Sequence, residues 1–367
     1  MKIARIDVFQ KKYTLANSEY AWSGGNAIYD LDTTIVKVTT DEGLFGFGET
    51  CPLGPAYLPS FALGARAAAR EIAPHLVGQD PRDVRRINDT MDRALLGHPY
   101  AKTPFDEACW DILGKTTGQS VSTLLGGRCV EEYPIYVAIS QAPAAKMAED
   151  VTRYRAAGVR RFQMKVGGDP DEDVARTLAV LDVTQPGDVV ICDANTGWTQ
   201  RSAVRFVNAV SDRDVFIEQP CRTYEECIAV RRNSTLPFVL DENIVSIQAL
   251  LRAYHDGATE CINLKVSRFG GLTRAKEVRD FCESLGISMT IEDTMGGDIT
   301  TAAVAHLAAS TRPEFLFCTT NMNSWITDRF AKGAPEVVNG RTTVPSGAGL
   351  GIEVDESWLG EPEFSVS

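Results

Sequence analysis

Six short apolar runs in this chain end in charged side chains. Lys165 closes RRFQMK, Asp193 closes DVVICD, Glu218 closes VFIE and Asp241 closes PFVLD. Lys265 closes CINLK, and the pair Glu292-Asp293 closes ISMTIED. The charges recur about every 25 residues, the length of one strand–helix unit, which puts them at one height along a set of parallel strands. Buried parallel strands normally read as uninterrupted apolar runs. A lone Asp at a strand end is as readily a helix cap, but six positions in register form a constellation. Asp193, Glu218 and Asp241 fall on consecutive units and would repel one another unless a cation sat among them. An all-oxygen ligand set favours Mg²⁺ or Mn²⁺ over zinc. Lys165 precedes the trio and Lys265 follows it, so the two are expected to face each other across the site. A buried lysine is costly without a partner or a task. A neighbouring metal would draw a lysine pKa toward neutrality, as general-base chemistry requires. The same metal would hold a substrate carboxylate and stabilise the enediolate left when the α-proton departs.

The surrounding sequence is what such a site needs to be positioned. Residues 1–50 alternate as strands (IARIDVFQ, TTIVKVTT, LFGFGET), with a turn at Asp41-Glu42-Gly43. Residues 60–125 switch to helical spacing, with Phe105, Cys109, Ile112 and Leu113 at three-and-four intervals. From about residue 133, eight β-rich runs alternate with amphipathic stretches: YPIYVAIS, the six charged runs and EFLFCTT. Repeated strand–helix units predict a parallel (β/α)8-type barrel, and no GxGxxG turn marks an open dinucleotide-binding sheet. The expected division is an α+β capping domain over 1–128 and the barrel over 129–340. A Gly- and Pro-rich segment, 341–367, is expected to return to the cap.

Bulk properties narrow the partners. The chain has 367 residues and a formal net charge of −12, which argues against nucleic acid or anionic membrane as partners. A metal can still admit an anionic small molecule to a pocket. Nine scattered cysteines without a C-x-x-C pair suit reduced thiols. There is neither an apolar leader nor a run of about 18 apolar residues. A soluble, cytoplasmic enzyme is expected, with assembly into a homo-oligomer left open.

At these residues the chain resembles the enolase superfamily, in its muconate-lactonizing-enzyme-like branch. FQMKVGG, CDANTGW, IEQP, LDEN, NLKVSRFGGLT and the earlier run WDILGKTTGQSVSTLLGG carry the resemblance across nearly the whole chain. It implies a cap whose loops close over the barrel. It also implies one Mg²⁺ per subunit on Asp193, Glu218 and Asp241, with Lys165 and Lys265 as acid/base residues on opposite faces of the substrate. Two departures stand out. Branch members often carry a lysine two residues before the second-strand base, where this chain has Gln163. The histidine base of the mandelate-racemase-like branch has no counterpart in ISMTIEDT, and His306 falls later, in a helix expected to be core.

A narrower likeness lies in GETCPLGPAYLPSFALGARAA, AISQ, FQMKVGGDPDED and IEDTMGGDITTAAVAHLAAS. These segments resemble cis-3-hydroxy-L-proline dehydratases and the hydroxyproline-betaine and proline-betaine epimerases, so a small proline-derived substrate is implied. Tyr57, Gln163, Asn195, Asp293, Thr319 and Thr320 are the candidate substrate contacts. A betaine's quaternary nitrogen favours an aromatic cage. The eighth-strand end, FCTTNMNSW, offers Thr319, Thr320, Asn321 and Asn323 instead. That run favours a secondary ammonium and hence the dehydratase, although Trp22 and Tyr57 of the cap loops could still supply rings. In cis-3-hydroxyproline the α-hydrogen and the hydroxyl lie on opposite faces, so their loss is an anti elimination. Opposed lysines serve that elimination and an epimerisation equally well. Dipeptide epimerases are a weaker fit, since FCTTNMN lacks their Asp-x-Asp. A non-catalytic binding relative would tolerate loss of a ligand or a lysine, and all five are present.

Overall fold

The computed structural model describes residues 1–367. Its centre is a parallel sheet of eight strands, each beside its sequence neighbours: Tyr136–Ile139, Arg161–Lys165, Val189–Asp193, Phe216–Glu218, Phe238–Leu240, Cys261–Lys265, Ser288–Glu292 and Leu316–Thr319. The sheet curls into a nearly closed barrel, and Arg161 Nε reaches the Phe317 carbonyl at 3.0 Å across the seam. Helices Ala144–Ala156, Pro170–Leu181, Gln200–Ala209, Tyr224–Arg231, Ile247–His255, Leu272–Leu285 and Asp298–Ala309 connect the strands. Several begin where a short polar side chain can accept a first-turn N–H. Asp169, Thr199 and Ser246 do so, and Thr223 forms a reciprocal capping box with Glu226.

The eighth unit departs from the expected repeat. Leu316–Thr319 leads into a 3-10 turn, Met322–Trp325, and then into short antiparallel strands rather than a helix. The sequence there, AKGAPEVVNG, carries two glycines and a proline that an α-helix would not sustain.

In the N-terminal part, strands Ile3–Thr14, Asp30–Thr40 and Phe45–Thr50 form an antiparallel sheet whose other edge is Phe364–Val366, close to the chain's C-terminus. Helix Pro99–Thr117 lies against Phe45–Thr50 so closely that only glycine fits opposite it. A Cβ on Gly48 would come within 2.0 Å of the Pro104 carbonyl oxygen. Buried carboxylates then fasten this layer to the barrel. Glu49 accepts the N–H groups of Gly297 (2.8 Å) and Thr300 (3.0 Å) at the start of helix Asp298–Ala309. Asp106 accepts Thr273 N at 3.0 Å at the start of helix Leu272–Leu285. Each places negative charge at a helix N-terminus, where unpaired donors and the helix dipole favour it. His306 is core, as expected: Nδ1 accepts Ser122 N at 3.2 Å and Nε2 meets the Leu350 carbonyl at 3.0 Å. All nine cysteines are free. No helix is long and apolar enough to cross a membrane.

Candidate active site

Strand pairing puts the charged residues on one rim. Lys165 lies level with Asp193, Asp193 with Glu218, and Lys265 with Glu292. Asp241 and Asp293 each follow directly on a strand end. Side chains two apart on a strand share a face, so Gln163 sits one layer below Lys165, and Asn263 one layer below Lys265. Both amides donate to the same oxygen, Glu218 Oε1, at 2.9 and 2.6 Å. Gln163, which stands where branch members often have lysine, therefore contributes a neutral donor that fixes Glu218.

Lys165 pairs with Asp193 Oδ2 in a short contact. Lys265 Nζ lies 2.6 Å from Asp241 Oδ2 and 3.1 Å from Glu292 Oε1, and donates to the Tyr57 hydroxyl at 2.9 Å. Arg268 Nη1 holds Asp241 by its Oδ1 and its carbonyl oxygen, both at 2.7 Å. Glu292 is held from below by the Tyr136 hydroxyl. Lys165, Lys265, Asp193, Glu218 and Asp241 are all buried.

Burial, and then the charges of Asp193 and Asp241, push the Glu218 carboxyl well above the ordinary range. Lys165 pairs with Asp193, and Lys265 and Arg268 with Asp241, while Glu218 forms no ion pair. Chemically the set still suits a hard divalent cation: three buried carboxylates on neighbouring strands, oxygen donors throughout, and a Glu218 whose charge its neighbours oppose.

With the protein's own charges alone, neither lysine is drawn to neutrality; the expected lowering belongs to the metal-bound site. Burial disfavours the charge on Lys165, but Asp193, Tyr20 and Glu218 outweigh it and raise the pKa above the usual lysine value. At Lys265 burial is likewise outweighed, by Asp241 and Glu292. Carboxylates surround both ammonium groups, and that negative charge must be offset before either can act as a base.

Of the expected substrate contacts, Tyr57, Gln163, Asn195 and Asp293 line the pocket, whereas Thr319 and Thr320 do not. Thr319 Oγ1 donates to the Ile291 carbonyl at 2.7 Å, inside the sheet, and Thr320 is buried. Asn321 donates to Thr342 Oγ1 at 2.9 Å, and Asn323 to Asp298 Oδ1 at 2.8 Å. The 3-10 turn leaves Met322 and Trp325 as the pocket wall on this side. Cap residues Tyr20, Trp22 and Leu53 also line it, with Tyr136 from the first barrel strand and Thr294 and Met295 after the seventh. Asp293 accepts Ser267 N at 2.9 Å and Ser267 Oγ at 2.8 Å, and burial raises its pKa to about 6. Asn195, at φ 40°, spans from Asp193 Oδ1 (N–H, 2.8 Å) to Glu242 Oε1 (side-chain amide, 3.1 Å). Tyr20, Tyr136 and Arg268 were not anticipated as site residues. Their signals were faint: inward phase on a short strand for Tyr136, and the SRFGG turn for Arg268.

Comparison with known proteins sets this geometry in a family. Residues 27–126 match the mandelate racemase/muconate lactonizing enzyme N-terminal domain, and 146–358 the enolase C-terminal domain-like family. The chain belongs to the mandelate racemase/muconate lactonizing enzyme family of the enolase superfamily. Within that family, it is 53% identical over 362 residues to a cis-3-hydroxy-L-proline dehydratase of Roseibium aggregatum, covering 99% of each chain. It is 29% identical to an N-succinyl-L-Arg/Lys racemase of Bacillus cereus, covering 98% of each. A solved family member from Roseovarius nubinhibens ISM, complexed with magnesium, is 34% identical and superposes with a TM-score of 0.96 over 100% of both chains.

Proposed function

We propose that this enzyme dehydrates cis-3-hydroxy-L-proline to Δ1-pyrroline-2-carboxylate. The observation that carries the reading is the 53% identity, over 99% of both chains, to a dehydratase of that substrate. The rim chemistry is consistent with it: two lysines on the second and sixth barrel strands, with three carboxylates on the strands between them. Asp193, Glu218 and Asp241 would hold one Mg²⁺ per subunit. When bound, the ion supplies Lewis-acid stabilisation of the charge that develops on the substrate carboxylate.

The chain's own residues move the protons. One lysine, as the free amine, takes the α-hydrogen. The pair of electrons left at Cα forms the bond to C3 as the C3–O bond breaks. The other lysine, as ammonium, gives its proton to the departing hydroxide, which leaves as water. The enamine formed tautomerises to the cyclic imine. Gln163, Asn195, Asp293 and Tyr57 are placed to shape the pocket around the ring, and the cap is taken as 1–128, the barrel as 129–340 and the returning segment as 341–367.

One specific observation favours a second reading, the epimerisation of a proline or hydroxyproline betaine. Thr319, Asn321 and Asn323 of the polar run are hydrogen-bonded within the protein, and Tyr20, Trp22, Tyr57 and Trp325 line the pocket. Aromatic faces attract a quaternary ammonium. The identity to the dehydratase outweighs this, because rings also pack against a pyrrolidine. Comparing kcat/KM on cis- and trans-3-hydroxy-L-proline, proline betaine and 4-hydroxyproline betaine separates the two readings. The cis isomer is expected to exceed the trans by at least about 10²-fold, since the trans isomer would leave one lysine to serve as both base and acid. Preference for a betaine would transfer the assignment to the epimerase.

A further inference from the structure

Resting on the two-lysine reading, the geometry points to Tyr20 and Tyr57 as positioning residues. They are cap-borne side chains, one for each lysine, the Tyr57 hydroxyl for Lys265 and the Tyr20 ring face for Lys165, that hold the two ammonium groups in their reactive orientation when the cap is seated on the barrel.

Tyr57 had been expected to touch the substrate, but its hydroxyl is already committed. It accepts from Lys265 Nζ at 2.9 Å and donates its only proton to Asp241 Oδ2 at 2.8 Å. No proton remains to offer a substrate oxygen. On the other side, Lys165 Nζ lies over the Tyr20 ring, 5.9 Å from its centre, so the ring face is what meets this ammonium. Tyr20 is itself held by stacking on Trp22, with ring centres 5.7 Å apart, and by edge contact with Trp325 at 5.0 Å. The segment carrying it is tied to barrel loops: Ser23 Oγ donates to the Asn195 carbonyl at 3.2 Å, and Gln141 N to the Ala21 carbonyl at 3.4 Å. Lys165 thus meets Asp193 from the barrel and Tyr20 from the cap, and Lys265 meets Asp241 and Glu292 from the barrel and Tyr57 from the cap. A lysine head sits on a flexible four-carbon stem, so a contact from a second direction restricts where it can point.

Tyr57→Phe keeps the ring and removes only the hydroxyl that meets Lys265, and Tyr20→Leu removes the ring that meets Lys165. Each is expected to lower kcat by about 10²-fold, the scale of a 1 Å misplacement, with KM near that of the unsubstituted enzyme. Each should also repeat the defect of its own lysine when α-hydrogen exchange with D₂O is followed beside loss of the 3-hydroxyl. Whichever of Lys165→Ala and Lys265→Ala keeps exchange, the tyrosine of that pair should keep it too. Tyr29→Phe, in an exposed cap tyrosine, serves as the control and should leave both readouts unchanged. A raised KM at unchanged kcat would mark Tyr20 and Tyr57 as substrate contacts and overturn the positioning role, as would exchange patterns that cross between the pairs. Normal turnover by the lysine variants themselves would instead remove the two-lysine reading, and the tyrosine assignment with it.

Discussion

Replacing Lys165 or Lys265 by alanine is expected to lower kcat by roughly 10⁴-fold, the upper range for a positioned acid or base. The two variants should not fail alike. Loss of the base stops α-hydrogen exchange and water loss together. Loss of the acid slows departure of the hydroxide while the α-hydrogen still exchanges with solvent. Lys165→Ala also strands the buried Asp193, whose ion pair it removes, whereas Asp241 keeps Arg268 in Lys265→Ala. Breaking a buried pair costs about 3–5 kcal/mol when one charge is left alone, so kinetics should be read with saturating Mg²⁺ and folding checked by circular dichroism. Near-normal turnover in both variants would contradict the mechanism.

Removal of divalent metal is expected to abolish turnover, and Mg²⁺ to restore it. A second readout does not depend on catalysis. Glu218 is buried between two like charges that oppose its own, so a cation bound among them stabilises the folded state. Mg²⁺ at 100 times its Kd should add about 2.7 kcal/mol to the unfolding free energy, seen as a rise in Tm. Glu218→Gln should lose most of that rise. Full activity in protein shown to be metal-free would sink the assignment of these carboxylates as ligands.

What the sequence disclosed, and what it hid, divides along physical lines. The rim was legible because parallel strands fix both spacing and height: a charge ending each of six apolar runs can lie only at one mouth of a barrel. The lysines and carboxylates therefore fall where their spacing put them, on the ends of strands such as Arg161–Lys165 and Cys261–Lys265. The pocket lining was not legible in the same way. Thr319, Thr320, Asn321 and Asn323 were read as a polar wall, but beyond the last strand the chain turns through a 3-10 segment. That turn sends the amides to Thr342 and Asp298 and brings Met322 and Trp325 inward. Periodicity carries no information about which way such a turn faces. Tyr20 reaches the site from more than a hundred residues away in sequence, through a tertiary contact between cap and barrel that no local pattern encodes. The carboxylates that raise the lysine pKa values come from neighbouring strands, and sequence alone does not show how closely they approach.

The central claim is loss of water across Cα and C3. Incubating the Mg²⁺-loaded enzyme with cis-3-hydroxy-L-proline in D₂O and following it by NMR tests this most directly. The account predicts disappearance of the C3 hydroxymethine signal together with the α-hydrogen, and appearance of Δ1-pyrroline-2-carboxylate. Retention of the 3-hydroxyl with deuterium incorporated at an inverted Cα would contradict it.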